Sequence, residues 1–299
     1  MTDQVPAGTP RALGTAGYAL LLGDDALILA HRLSEWVASA PELEEDVALA
    51  NIGLDLLGQA RSLLGYAGEL LGDRTEDDLA YLRGEREFRN CQLVEQPNGD
   101  FGHTIARQLL FSTYQGELYA ALARSRDTRL AAIAAKAVKE VAYHRDHAVM
   151  WTLRLGDGTD ESHRRMQAGL DAMWPYSAEL FDAGLFDTGL FDTGLFDAGL
   201  FDAGLFDAGL LDAGRLDAGR SGPGTGPGGL VEAGIAVDPA SLRPAWESAV
   251  TAVLTEATLA VPQTSWRPGG GRRGIHTEAF GYLLAEMQHL HRSYPGARW

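Results

Sequence analysis

Leu22, Ala26, Leu29, Leu33 and Trp36 recur three or four residues apart, the spacing that lines one face of a helix. Pro41 interrupts this pattern, and a second helical run follows over residues 42–71, opening on Glu42, Glu44, Glu45 and Asp46. Acidic groups there suit the positive end of a helix dipole. Thr75 with Asp78 forms a capping signature for a shorter helix over residues 76–89. Pro97-Asn98-Gly99 marks a turn. Two more long runs then cover residues 101–125 and 127–155, with Asp127 placed as an N-cap. Long helices joined by short connections predict an antiparallel bundle. A fifth helix is expected over residues 159–181, kinked or ended near Pro175. Two further helices are expected over 241–259 and 276–294, separated by the loop "RPGGGRRG". Alternating strand patterns are almost absent, so the expected fold class is all-α.

A five-residue unit interrupts this order. "LFDAG" begins at Leu180 and runs through eight degrading copies to Gly219. Five residues turn a helix by about 500°, so the Leu-Phe pair would spiral and define no face. An odd period also flips each copy across a strand. A Gly/Pro-rich stretch, "SGPGTGPGG", continues the segment, with order expected to resume near Asp238-Pro239. The chain divides into a helical bundle over 1–181, an insertion over 182–233 expected to be flexible, and C-terminal helices over 234–299. The near-identity of the copies points to tandem duplication, in an inter-helix connection where added length costs little.

Composition changes this picture modestly. The net charge is −16, and the eight aspartates of the repeat, less Arg215, supply −7 of it. An acidic surface argues against broad contact with nucleic acid or an anionic membrane. Cys91 is the only cysteine, so no intrachain disulfide forms and a reducing compartment fits. The N-terminal residues lack the pattern of a secretory signal, and no uninterrupted apolar run reaches membrane length. The expectation is a cytoplasmic protein with neither nucleic-acid nor membrane partners.

Candidate chemistry lies in narrow polar stripes. Asn51, Asp55 and Gln59 fall at i, i+4 and i+8 among Ile52, Leu54, Leu56 and Leu57. Lys136, Glu140 and His144 repeat that spacing on the fourth long helix. The third offers Arg107, Tyr114 and Glu117, and the first offers Asp25, His31, Arg32 and Glu35. Polar groups in apolar helices must pair, bind something or meet water. One reading is a carboxylate-bridged dimetal centre, which takes a Glu from each of two helices and Glu-x-x-His from the other two. The spacing fails that test, because Val141 stands three residues before His144 and Leu56 three before Gln59. The other reading is an internal network in which Asp55, Lys136 and Glu140 neutralise one another. The shortage of carboxylates favours the network over an altered metal site.

The stretches "LEEDVALANIGLDLLGQAR", "EDDLAYLRGEREFRNCQLVEQPNGDFGHTIARQ", "KEVAYHRDHAVMWTLRLGDGTDESHRRMQ", "WPYSAELF" and "HTEAFGYLLAEMQHLHRSYPGARW" resemble the C subunits of the bacterial phenylacetyl-CoA ring 1,2-epoxidases. The likeness spans nearly the whole chain outside 182–233. It implies a ferritin-like antiparallel four-helix bundle with additional helices. It also implies a structural role with a degenerate site, formed by Asp55, Gln59, Glu140 and His144, and no catalytic residue or metal of its own. The implied partner is a homologous catalytic subunit that carries the di-iron centre. A small coupling subunit and a reductase complete a complex that uses NADPH and oxygen. An independent ferritin-like metal enzyme with an altered dimetal site is the alternative.

A partner-binding surface would use outward aromatic positions. Trp36, Tyr66, Tyr81, Phe88, Trp151, Trp174 and Trp299 are the candidates, each equally able to be core. In the glycine-rich loop, Arg267, Arg272 and Arg273 are candidate contacts for a phosphate of coenzyme A or an acidic partner, or a plain solvated connector.

Overall fold

In the computed structural model, residues 10–72, 74–182 and 227–297 are described. Among them there is no strand. The α-helices are α1 Pro10–Ser34, α2 Leu43–Leu71, α3 Glu76–Tyr81, α4 Gln92–Glu95, α5 Phe101–Leu122, α6 Thr128–Gly156, α7 Asp160–Met173, α8 Pro227–Glu232, α9 Arg243–Glu256 and α10 Glu278–Ser293. Pro175 falls where α7 gives way to a 3₁₀ segment, Trp174–Phe181.

Local chemistry sets several helix ends. Asp127 Oδ1 accepts from the backbone N–H of Arg129 and Leu130, and Asp100 accepts from that of His103. Thr75 and Asp78 close a reciprocal capping box. The helix expected over 76–89 is shorter, ending at Tyr81 and followed by a 3₁₀ turn at Glu85–Glu87. Arg83 explains the break: its guanidinium turns inward to the buried Asp24 and lies 4.1 Å from the centroid of the Phe88 ring.

α1 packs along α2 and α5 along α6, with α2 meeting α6. The later helices then wrap the bundle unevenly. α7 crosses α5, α9 rests on α5 and α6, and α4, α8 and α10 reach α1. α1 is long and apolar enough to cross a membrane by length and composition, yet 94% of that stretch is buried, making it the central helix. The α5–α7 crossing is close because Gly102 and Gly169 meet there. A Cβ on Gly169 would sit 2.7 Å from the Gly102 carbonyl oxygen, well inside contact distance.

The start of the repeat belongs to this core. Leu180 and Phe181 of the first copy are buried, and the Phe181 ring lies 5.7 Å from Tyr114 and 5.1 Å from Trp246. The copies beyond Asp182, and Trp299, lie outside the described residues. Structure is described again from Pro227, inside the segment expected to be insertion, and α8 buries Leu230.

Candidate functional site at the α2–α6 seam

Both polar stripes arrive at one seam. His147 Nε2 lies 2.7 Å from Glu45 Oε2, and His144 Nε2 lies 3.1 Å from Asp55 Oδ2. Gln59 Nε2 donates to Glu140 Oε2 at 3.1 Å. Glu69 meets Arg129 at 3.4 Å. Partners rising along α2 fall along α6, so the two helices run antiparallel. The packing follows from the sequence: α2 turns Ile52, Leu56 and Leu63 inward, and Gln59 shares that buried face. α6 does the same with Ala137, Val141 and Ala148, placing His144 and His147 among them.

The four candidate residues are therefore brought together, but two and two. The expected mutual neutralisation of Asp55, Lys136 and Glu140 is not what forms. Asp55 takes His144 instead, because Lys136 points outward and reaches only Glu140, 3.4 Å away and one helical turn on. Burial lowers the His144 pKa despite the neighbouring Asp55, so its ring is neutral at neutral pH and its Nε2–H donates to the carboxylate. Carboxylate and imidazole lone pairs that would ligate a metal are spent on each other.

This donor set does not fit a dimetal centre. Val141, fully buried, fills the place three residues before His144 where a carboxylate would be required. Gln59 offers an amide where the chemistry wants an imidazole. Among the described residues, no three His, Cys, Asp or Glu side chains gather to hold a metal ion.

Sequence reasoning missed the Glu45–His147 pair. Glu45 sits in the acidic first turn and read as a dipole partner, though Leu49, Ile52 and Leu56 continue its face into the core. It also missed three buried carboxylate sites elsewhere. Asp24 receives Arg83, Glu95 receives His276 at 2.7 Å, and Glu179 accepts backbone N–H groups from Gln92, Gly270 and Arg272.

Arg272 is accordingly no ligand contact. It is 1% exposed, donates to Asp25 Oδ2 at 2.6 Å and also bonds the carbonyls of Leu21 and Arg89. Burial alone would lower its pKa, but the Asp25 charge outweighs that and holds it above the ordinary range. Gly271 permits this burial, since a Cβ there would stand 2.3 Å from the Asn90 carbonyl oxygen. Arg267 and Arg273 behave differently. With Arg243 they line an open cleft of about 520 Å³ beside Glu179 and Asp182, and Arg273 reaches Asp182 at 3.7 Å.

The aromatic candidates for a partner surface also turn inward. Trp36 donates to Thr104 and meets Phe101 edge-on, and Trp151 meets the same Phe101. Tyr66 donates to Asp127, Tyr81 stacks on His291, and Trp174 packs on Trp246. Phe88 is fully buried. Each is covered by an element of its own chain.

Fold and site together define a ferritin-like helical bundle whose inter-helix polar site has closed on itself. The chain belongs to the family described as Phenylacetic acid catabolic protein, which it matches over residues 2–299. It is 47% identical over 282 residues to a protein of Escherichia coli (strain K12) named as the C subunit of 1,2-phenylacetyl-CoA epoxidase, covering 94% of this chain and 98% of that one.

Proposed function

We propose that this chain is the structural, non-catalytic member of a multicomponent monooxygenase that epoxidises the aromatic ring of phenylacetyl-CoA. It supports a homologous catalytic subunit that carries the di-iron centre, with a small coupling subunit and a reductase, in the cytoplasm. The observation that carries this reading is the seam. Asp55 with His144, and Gln59 with Glu140, occupy each other, and Val141 closes the remaining ligand position. The likeness to a protein named as an epoxidase subunit supports the complex and the substrate.

In this reading the di-iron centre of the partner supplies oxygen activation, and NADPH supplies the electrons. This chain holds a rigid helical frame against that partner. The Asp55–His144 and Gln59–Glu140 bonds lock the relative height of α2 and α6 and so fix the shape offered to it. Reconstitution tests the proposal. The purified chain alone should leave phenylacetyl-CoA untouched in the presence of reductase, NADPH and oxygen. Adding the homologous catalytic and coupling subunits should give the ring epoxide, and omitting this chain should lower turnover. Turnover by this chain alone would overturn the proposal.

A further inference from the structure

We infer that the outer face of α2 and α6 is the surface on which a second helical bundle of the same family docks, related to this one by an approximate two-fold axis. The inference rests on the subunit reading above and locates its interface. α1 and α5 are enclosed by later helices, whereas the side of the bundle formed by α2 and α6 is covered only at its ends. That side is apolar along its middle. Leu43, Val47 and Leu54 of α2 and Tyr143 and Met150 of α6 are between 37% and 74% exposed. On α2 these residues share one outward line, and on α6 they stand one heptad apart, opposite the buried faces that make the seam. Scattered exposed apolar residues need no explanation, but a shared outward face on two adjacent helices marks an interaction surface.

Charge selects the occupant. Exposed Glu42, Glu44 and Asp146 stand at one end of the face, and exposed Arg129, Lys136 and Lys139 at the other. Arg145 departs from this pattern, as does Arg154, which lies over the Trp151 ring at 5.3 Å. Between Arg129 and Lys136 the seam opens into a cleft of about 290 Å³ floored by Gly58, Gln59 and Ala137, a basic-rimmed socket suited to an acidic side chain. A face acidic at one end and basic at the other complements itself after rotation by 180°, which is the geometry of an isologous interface. A partner sharing the same bundle and charge pattern meets that requirement. Size agrees. Both helices have 29 residues. At 1.5 Å per residue and about 10 Å per helix width, the face measures about 43 by 20 Å, close to the roughly 800 Å² per partner of a stable interface.

The test is co-purification of this chain with a tagged homologous catalytic subunit. Leu54→Arg and Tyr143→Asp change exposed residues and should leave the circular dichroism spectrum and melting temperature unaltered, while weakening capture at least tenfold. Lys136→Glu with Lys139→Glu should weaken capture and reduce its salt dependence. Trp266→Glu, an exposed aromatic packed on Tyr176 in the glycine-rich loop, should leave capture unchanged. Capture of the Leu54 and Tyr143 variants at wild-type strength overturns the location while leaving the subunit reading intact. Failure of the wild-type chain to be captured overturns both. A self-dimer abolished by Leu54→Arg, with capture unaffected, would overturn the catalytic subunit as occupant and put a second copy in its place.

Discussion

Replacing Arg272 with Met should be among the most damaging single changes in this chain. The guanidinium is 1% exposed and makes three hydrogen bonds, one of them to the carboxylate of Asp25, itself almost fully buried. Met fills much of the volume but leaves Asp25 facing only the Cys91 N–H at 2.8 Å. Breaking one partner of a buried ion pair costs about 3–5 kcal/mol, because the remaining charge stays desolvated. Urea unfolding followed by helical circular dichroism at pH 7 reads that loss as a lower midpoint at constant slope. Adding Asp25→Asn should recover about 1–3 kcal/mol of it, the coupling expected of residues in contact. The pH dependence gives a second check. Without Arg272, burial acts on Asp25 unopposed and raises its carboxyl pKa above 3.8. A carboxyl raised in the folded state binds its proton more tightly there, so the deficit of the variant should shrink as pH falls through that raised value. A cost below about 1 kcal/mol, typical of a solvated ion pair, would refute the buried-pair argument and return Arg272 to the exposed loop.

Three further outcomes follow from the packing. Burial lowers the His144 pKa below its ordinary 6.5, so its neutral form stabilises the fold above that pH. Stability should fall as pH drops below about 6.5, and this component of the slope should vanish in His144→Gln, read from urea midpoints between about pH 5 and 7.5. Gly169→Ala drives a Cβ to 2.7 Å from the Gly102 carbonyl oxygen and should cost about 1–3 kcal/mol; an unchanged melting curve would mean that α5 and α7 are not in close contact. Phe181→Ala should cost about 3–5 kcal/mol, since this first-copy phenylalanine lies between Tyr114 and Trp246; a neutral result would detach the first copy from the bundle core.

Much of the scaffold was readable along the chain. Periodicity placed the four long helices, and Pro41, Thr75 and Asp127 marked real boundaries because their effects are local. The i, i+4 stripes landed on one seam, and the absence of Glu three residues before His144 was a matter of counting. What could not be read was the outcome of distant packing. Arg272 stands among glycines and an adjacent arginine, a setting that looks solvated. It is buried because Gly271 lets the loop lie against Asn90, and because Asp25 and Glu179 arrive from far along the chain. Trp36 and Trp151 looked fit for a partner, but Phe101 comes between them. Leu54 looked like core in an apolar run, yet no later helix covers its side of α2. Which side of a bundle stays bare depends on where its last helices fold back, and helical period carries no record of that.

The central claim is that the α2–α6 seam holds no dimetal centre. Metal content decides it: the chain is purified after growth with iron and manganese, alone and in complex with the catalytic subunit, and assayed by elemental analysis. The account predicts that the isolated chain carries no stoichiometric iron or manganese, and that metal in the complex is unchanged by Asp55→Ala or Glu140→Ala in this chain. Stoichiometric metal in the isolated chain, lost on either substitution, would contradict it.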